Sequence, residues 1–365
     1  MKERTRKASI GSVQIGGGLP VLVQSMCNIP LSETDSVINQ IGQLHDRGAR
    51  LVRFSVRNMN EAAYIRKVIN SSEIPVCADI HFDYKLAIAA IEAGVAKIRL
   101  NPGNIKSEDG VRRVVEAAKS NGTAIRIGVN GGSVNRTGFS GSEERILVDH
   151  AFEHLRILEN NGFYNTVISI KSSDVLSTLK ANRLLATECD YPIHIGLTEA
   201  GYGNNALIKS SVTIGALLLD GIGDTVRVSM TGDPLQEIDA AYEILKAVHR
   251  LDYGINIISC PTCGRTDRLI DLEALARDID KAVNAKYLKL VRDQKKILNI
   301  AVMGCEVNGP GEASEADIGV AGCGRGQLAL FLRGKIIKKV NQDRVVDQIL
   351  EYTGKIVAGI SLPAE

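Results

Sequence analysis

Lys97-Ile-Arg99-Leu-Asn101 and Ala124-Ile-Arg126-Ile-Gly128-Val-Asn130 flank a helical pattern near 107–120. In both runs polar residues take one parity and apolar residues the other, and a strand sends alternate side chains to opposite faces. Between them Ser107 stands before Glu108 as an N-cap for the predicted helix. Strand, helix and strand in succession form a crossover unit, so the two strands lie parallel in one sheet.

Working outward, the unit recurs. Strands are predicted at Val21–Met26, Leu51–Val56, Val76–Phe82, Lys97–Asn101, Ala124–Asn130, Thr166–Ser172, Pro192–Thr198 and Thr225–Thr231. Helical patterns fall near 34–47, 60–70, 84–93, 107–120, 143–161, 174–187, 204–218 and 235–249, with Ser142 as a second candidate cap. Eight such units in about 230 residues match a (β/α)8 TIM barrel, with a doubly wound open sheet as the competitor. An open sheet covered by helices is apolar on both faces. Here one parity stays polar in Arg53-Phe-Ser55, Asp79-Ile-His81, Ser169-Ile-Lys171, His194-Ile-Gly196-Leu-Thr198 and Arg227-Val-Ser229-Met-Thr231. A closed barrel accommodates that pattern, with apolar residues against the helices and polar ones inward near the mouth. Residues 1–19 read as a hairpin, Ala8–Ile15 running into Gly16-Gly17-Gly18, that plugs the lower end.

Beyond residue 250 the register changes. A strand at Ile255–Ser259, a helix near 271–285, a strand at Ile297–Met303, short strands near 316–321, 328–332 and 335–340, and a helix near 343–353 predict a smaller α+β domain. The expected organisation is therefore a barrel domain, 1–250, followed by an α+β domain, 251–365.

The chain has 365 residues with 44 basic and 42 acidic side chains, a net charge of +2. That balance gives neither the basic face of a nucleic-acid binder nor a polybasic membrane anchor. An apolar content of 44% excludes wholesale disorder. No run approaches the roughly 20 apolar residues that span a bilayer. Met1–Lys7 is charged with no apolar segment behind it, so it is not a secretory signal, and a cytoplasmic location is expected.

Five inward cations, Arg53, Arg99, Arg126, Lys171 and Arg227, and the histidines His81 and His194 face few carboxylates, mainly Asp79 and Glu199. Unpaired buried cations are costly. A bound anion resolves the imbalance, and guanidinium forks suit phosphate oxygens. The barrel is expected to hold a small, strongly anionic ligand such as a diphosphate. Asn101-Pro-Gly-Asn104 and Asn130-Gly-Gly-Ser133 add backbone N–H groups near the strand ends.

Of seven cysteines, Cys27, Cys77 and Cys189 stand singly in the barrel and read as packing residues. The other four lie after residue 259, in Cys260-Pro-Thr-Cys263-Gly-Arg-Thr266, in Gly304-Cys305-Glu-Val-Asn-Gly-Pro-Gly-Glu312, and at Cys323. By spacing, these motifs suit structural zinc, a redox dithiol or a [4Fe–4S] cluster. Zinc ribbons repeat the cysteine pair after about 15–20 residues. Here 41 residues separate Cys263 from Cys305. Glu312 and Cys323 are the candidates for a fourth ligand.

The paired motifs, placed behind a barrel, resemble those of the 4-hydroxy-3-methylbut-2-en-1-yl diphosphate synthases (the IspG/GcpE family) in their compact two-domain bacterial form. The resemblance spans essentially the whole chain. It implies a [4Fe–4S] cluster held by Cys260, Cys263, Cys305 and Glu312, with Glu312 leaving one iron exchangeable. It implies reductive ring opening and dehydroxylation of 2-C-methyl-D-erythritol 2,4-cyclodiphosphate to 4-hydroxy-3-methylbut-2-enyl diphosphate, a step of the methylerythritol phosphate route to isoprenoids. Arg53, Arg99, Arg126, Lys171 and Arg227 would clamp the diphosphate, with His81, Asn130 and Ser229 as hydrogen-bond partners. Glu199 is the candidate proton donor, or else a capping or ion-paired carboxylate. Cys323 does not belong to the family pattern and reads as a packing position. The resemblance further implies reduced flavodoxin or ferredoxin as electron donor, and a head-to-tail homodimer. The rival readings are a pterin-binding-type barrel transferase with a structural zinc module, and an iron–sulfur sensor, which needs no diphosphate clamp. The Cys-x3-Cys-x2-Cys run of a radical S-adenosylmethionine enzyme is absent.

Overall fold

A computed structural model of the protein describes residues 5–80, 83–134, 140–305 and 314–360. The chain divides into two compact units, Met1–Arg250 and Leu251–Glu365.

The first unit opens with β1 (Ala8–Ile10) and β2 (Val13–Ile15), then alternates strands with helices. The strands are β3 (Leu22–Met26), β4 (Leu51–Ser55), β5 (Val76–Asp79), β6 (Lys97–Arg99), β7 (Ala124–Asn130), β8 (Thr166–Lys171), β9 (His194–Ile195) and β10 (Thr225–Val226). The helices are α1 (Thr34–Asp46), α2 (Met59–Ala62), α3 (Ile65–Ser71), α4 (Tyr84–Ala93), α5 (Glu108–Asn121), α6 (Glu143–Asn160), α7 (Val175–Glu188), α8 (Gly203–Leu219) and α9 (Pro234–Ala247). The eight strands run parallel in the order β8-β7-β6-β5-β4-β3-β10-β9. A parallel bridge between Ile168 and Ile193 brings the last strand beside the first, so the sheet is a nearly closed TIM barrel.

The alternating parity is what the barrel uses. Ile98, Ile125, Ile127, Ile168, Ile170, Ile195 and Val226 are fully buried. The opposite parity carries the charged groups. The hairpin β1–β2 packs Ala8, Ile10 and Ile15 on Leu51, Ala124 and Val167, which lie at the starts of β4, β7 and β8. It thus closes the end of the barrel away from the strand C-termini. Asn165 ties it down, with Ser9 N donating to Asn165 Oδ1 and Asn165 Nδ2 to Ser9 O, both at 2.9 Å.

Some boundaries differ from the sequence reading. Ser107 caps α5 by accepting from Gly110 N, whereas Ser142 occupies the N-cap of α6 without accepting a backbone N–H of the helix. The pattern near 60–70 breaks into α2, capped by Asn58, and α3. The ladder of β9 and β10 is only two residues long. Past it Gly196 approaches Arg227 so closely that a Cβ would lie 2.3 Å from the Arg227 carbonyl oxygen, and regular pairing gives way to loop.

The second unit is a five-stranded sheet, β11 (Gly254–Ser259), β12 (Ile297–Met303), β13 (Ile318–Gly322), β14 (Gln327–Leu332) and β15 (Lys335–Asn341), in that order. The first three strands are parallel and the last two add antiparallel. Helices α10 (Leu272–Asp293) and α11 (Val345–Val357) bury Leu275, Ile279, Val283 and Ile349 against Leu298, Ile300, Val320 and Leu330 of the sheet. Helix α10 runs to Asp293, about two turns past its predicted end.

Candidate active site

The barrel interior is built around a surplus of cations. Arg53 and Arg99 share one carboxylate: Asp79 Oδ2 lies 3.6 Å from Arg53 Nε, and Asp79 Oδ1 3.5 Å from Arg99 Nη1. Arg99 Nη2 also donates to Gly128 O at 2.9 Å. Gly128 is a spatial requirement, since a Cβ there would meet Arg99 Nε at 2.6 Å. Asn101 continues the ladder with its side chain, donating to Gly128 O at 3.0 Å and accepting from Gly128 N at 2.8 Å. Met26 lies between two guanidiniums, its sulfur accepting from Arg53 Nη2 at 2.8 Å and from Arg227 Nη1 at 3.6 Å. Arg227 is held in turn by Glu237, at 3.1 and 3.3 Å.

Arg126 is 2% exposed, and its Nε and Nη1 find no hydrogen-bond partner among the described residues. Burial, and then the neighbouring Arg53, push its guanidinium down to about 9. Lys97 is fully buried, donates to Gln24 Oε1 at 2.9 Å, and is pushed down to about 7 by burial and by Arg126 and Arg53. Lys171 is lowered well below its ordinary value, first by burial and then by Arg126, Arg227 and Arg53. These mutual effects place the five predicted cations in one constellation, with Asp79 and Glu237 as its buried carboxylates. The chamber is electrostatically incomplete and is suited to a multiply charged anion.

The other predicted residues are distributed around it. Asn130 ends β7 as the register partner of Lys171. Ser229 is half-buried in the extended chain beyond β10. Glu199 is exposed past β9 and has a φ of 52°, left-handed for a non-glycine residue. Such a conformation costs on the order of 1–2 kcal/mol and is shared by His249, Lys295, Arg325 and Arg333. His81 lies outside the described residues. Beside the mouth, a cavity of about 380 Å³ is lined by Met26, Ser55, Arg57, Arg227, Met230 and Glu237 among others.

Sequence reasoning missed Lys97, Met26 and Glu237. Lys97 stands on the inward parity of the very run that carries Arg99, which was the available signal. Glu237 reads as an ordinary first-turn acid of α9, and only the fold returns it to Arg227.

A second cluster forms in the C-terminal unit. Cys260 follows β11 and Cys305 follows β12, which are neighbouring parallel strands. Gly304 N donates to Cys260 Sγ at 3.2 Å, so the two cysteine loops touch. Thr266 Oγ1 accepts from Cys263 N at 3.2 Å, and a Cβ on Gly304 would meet that oxygen at 2.8 Å. Asp267 fastens the arrangement, donating its N–H to Gly304 O at 3.2 Å and accepting from Gly326 N at 2.8 Å. Cys263 is exposed, and the backbone N–H and side chain of Arg265 hold its thiol below the ordinary range. A backbone N–H on one sulfur and a cation beside another stabilise thiolates, the ligand form for iron. The donor set therefore fits a thiolate-held cluster.

Cys323 is half-buried in a turn, its N–H donating to Gln327 O at 2.8 Å. Among the described residues no three His, Cys, Asp or Glu side chains converge as ligands of a single metal ion. Glu312 lies outside the described residues. In the barrel Cys27 and Cys77 are buried and Cys189 half-buried, and burial raises Cys27 to about 12 and Cys189 to about 11.

Residues 5–242 match the GcpE TIM-barrel domain and residues 256–355 the GcpE protein C-terminal domain. The chain is 44% identical over 362 residues to the 4-hydroxy-3-methylbut-2-en-1-yl diphosphate synthase (flavodoxin) of Lawsonia intracellularis (strain PHE/MN1-00), covering 98% of each chain. It is 45% identical over 361 residues to the protein of that name from Geobacter sulfurreducens, covering 98% of this chain and 99% of the relative. Among solved structures, a dihydropteroate synthase from Stenotrophomonas maltophilia aligns with 63% of this chain and 93% of its own, at 17% identity and a TM-score of 0.49. The matched domains cover nearly the whole chain, which belongs to the GcpE family.

Proposed function

We propose that this protein converts 2-C-methyl-D-erythritol 2,4-cyclodiphosphate to 4-hydroxy-3-methylbut-2-enyl diphosphate, the activity for which its relatives are named. Counted on the neutral acids, the reaction takes up two electrons and two protons, opens the ring at a C–O bond and releases one oxygen as water. The observation that carries the reading is the buried guanidinium of Arg126, its Nε and Nη1 unpartnered among the described residues, inside a ring of further cations.

Arg53, Arg99, Arg126, Lys171 and Arg227 clamp the diphosphate, and Asn130, Ser229 and His81 donate to it. Asp79 and Glu237 fix the guanidiniums so that little reorganisation is needed on binding. Glu199, in its left-handed position at the barrel mouth, delivers the proton that the departing oxygen requires.

Cys260, Cys263, Cys305 and Glu312 would hold a [4Fe–4S] cluster, the carboxylate being the harder and more exchangeable ligand. When bound, that cluster supplies low-potential electrons and a Lewis-acidic iron. Reduced flavodoxin, named with the relatives, or ferredoxin is the donor. The working assembly is a head-to-tail homodimer. An exposed apolar stripe of Ile208, Val212 and Leu219 along α8 supports an association of copies. No helix among the described residues is long and apolar enough to cross a membrane, and the free cysteines suit a cytoplasmic location.

The test is anaerobic purification followed by iron and sulfide assay and turnover of the cyclic diphosphate with reduced flavodoxin. Product formation that depends on both iron and sulfide is expected. A sulfide-free protein, or one inert toward the cyclic diphosphate, overturns the proposal.

A further inference from the structure

Beneath the guanidiniums lies a buried chain of three polar side chains that a phosphate clamp does not by itself require. Lys171 Nζ is 3.2 Å from His194 Nε2, and His194 Nδ1 is 2.8 Å from Thr225 Oγ1. His194 and Thr225 are fully buried register partners on β9 and β10, and Lys171 is 8% exposed on β8. Gly196 leaves the space the amine needs, since a Cβ there would meet Lys171 Nζ at 2.9 Å.

A single N···N contact accommodates one shared proton, so Lys171 and His194 carry at most one positive charge between them. The charged groups acting on the pair are Arg53 of β4, Lys97 of β6, Arg126 of β7, Arg227 beyond β10 and Glu237 of α9. Four of the five are basic. Burial and these cations drive His194 well below its ordinary value and so disfavour an imidazolium. The consistent arrangement is a neutral imidazole with its hydrogen on Nδ1, donating to Thr225 Oγ1. Its Nε2 lone pair then faces Lys171.

We propose that His194 is a positioning residue for substrate binding: its neutral imidazole accepts from Lys171 Nζ and aims the remaining ammonium hydrogens at the anionic group held by the barrel. This rests on the reading of the barrel as a diphosphate site. A bound diphosphate favours the ammonium form of Lys171, so binding draws a proton from solvent onto the pair. The Lys171 ammonium, which can only donate, selects the tautomer, Thr225 holds the ring through Nδ1, and Gly196 keeps the amine's position open.

The experiment uses the cluster-loaded protein as wild type, His194→Leu and His194→Gln, the glutamine retaining an acceptor where Nε2 stood. For His194→Leu the KM for the cyclic diphosphate is expected to rise roughly tenfold or more, with kcat changed less than about threefold. The pH above which KM climbs should fall by roughly one unit. His194→Gln should restore both to within about threefold of wild type. Calorimetry with inorganic pyrophosphate in two buffers of different ionisation enthalpy should show proton uptake that His194→Leu diminishes. A wild-type KM and pH profile in His194→Leu overturns the proposal, and so does a glutamine variant as impaired as the leucine one. If His194→Leu does not fold, Thr225→Val removes only the Nδ1 partner, and an unshifted KM profile there overturns it equally. Wild-type protein that binds pyrophosphate but does not turn over the cyclic diphosphate defeats the functional reading alone, because the pyrophosphate titrations still test His194.

Discussion

Glu237 grips Arg227 with both carboxylate oxygens, at 3.1 and 3.3 Å, and one of those oxygens also accepts from Met230 N at 3.0 Å. The carboxylate is almost fully buried, so it fixes both the guanidinium and the chain beyond β10. Glu237→Gln keeps the shape and loses the charge. Its KM for the cyclic diphosphate should rise on the order of tenfold, with iron content unchanged. Glu237→Ala leaves Arg227 buried beside other cations and should lower stability by roughly 3 kcal/mol, read as a urea midpoint.

Arg126 has the opposite balance. Among the described residues its Nε and Nη1 are unpartnered, so it contributes an unpaired buried charge to the ligand-free protein and the N–H groups of two nitrogens to an anion. Arg126→Leu should therefore raise the stability of the ligand-free protein by roughly 1–3 kcal/mol, a shift of a few degrees in Tm. The same variant should weaken substrate binding about 100-fold. Calorimetric melting with and without inorganic pyrophosphate checks both effects, since the ligand-induced rise in Tm should disappear. A variant that melts lower than wild type without ligand contradicts the electrostatic account.

Lys97 makes that account dependent on pH. Its ordinary value of 10.5 is lowered to about 7 in the fold, first by burial. Between those values the unfolded chain binds the proton that the folded barrel rejects, so the stability of the ligand-free protein rises with pH across that window. The penalty is complete below about pH 7 and absent above the ordinary lysine value. Lys97→Met should flatten the dependence, a difference on the order of 2 kcal/mol between pH 7 and pH 9. Urea unfolding at the two pH values measures it.

What the sequence disclosed and what it withheld follow from how far each signal reaches along the chain. The parity of Arg53, Arg99, Arg126 and Lys171 is a local property of each strand, so the barrel and its charged interior were legible one strand at a time. The cysteine spacing was equally local. Two kinds of feature were not. Glu237 follows Arg227 by 10 residues but reads as an ordinary first-turn acid of α9, and its role appears only when the intervening loop returns it to that guanidinium. The Lys171–His194 contact joins residues 23 apart whose relation depends on the stagger between β8 and β9. Gly128 and Gly196 read as weak strand residues, and only the closed barrel shows that Arg99 and Lys171 fill the space their missing side chains leave. The short ladders of β9 and β10 were overestimated for the same reason, because apolar alternation continues through Leu197 and Val228 after pairing has stopped.

Glu312 offers a separation of the two units. If the proposed ligand set holds, replacing the Glu312 carboxylate removes the exchangeable ligand and leaves the three thiolates. Glu312→Ala should fold, retain a labile cluster with less iron and sulfide per chain, and lose more than about 100-fold in kcat, since ligand loss at a reactive metal acts on chemistry more than on binding. Its affinity for inorganic pyrophosphate should equal that of wild type, because Arg126 and its neighbours belong to the barrel. Full turnover in this variant removes Glu312 from the ligand set.

The loop that begins at Asn101 depends on a neutral histidine. His154 of α6 accepts from Gly103 N through Nδ1 at 3.0 Å, and a Cβ at Gly103 would lie 2.6 Å from that nitrogen. Burial, followed by His150 and Arg99, lowers His154 from 6.5 to about 4. The unfolded chain therefore takes up a proton near pH 6.5 that the folded protein refuses until about pH 4. The stability so contributed is complete above pH 6.5 and is lost as the pH falls through about 4, on the order of 2–3 kcal/mol in all. His154→Gln preserves an acceptor toward Gly103 but does not titrate. Its urea midpoint should lie close to wild type near pH 5 and should fall less steeply between pH 6.5 and pH 4, and parallel slopes in the two proteins would assign the acid sensitivity to another group.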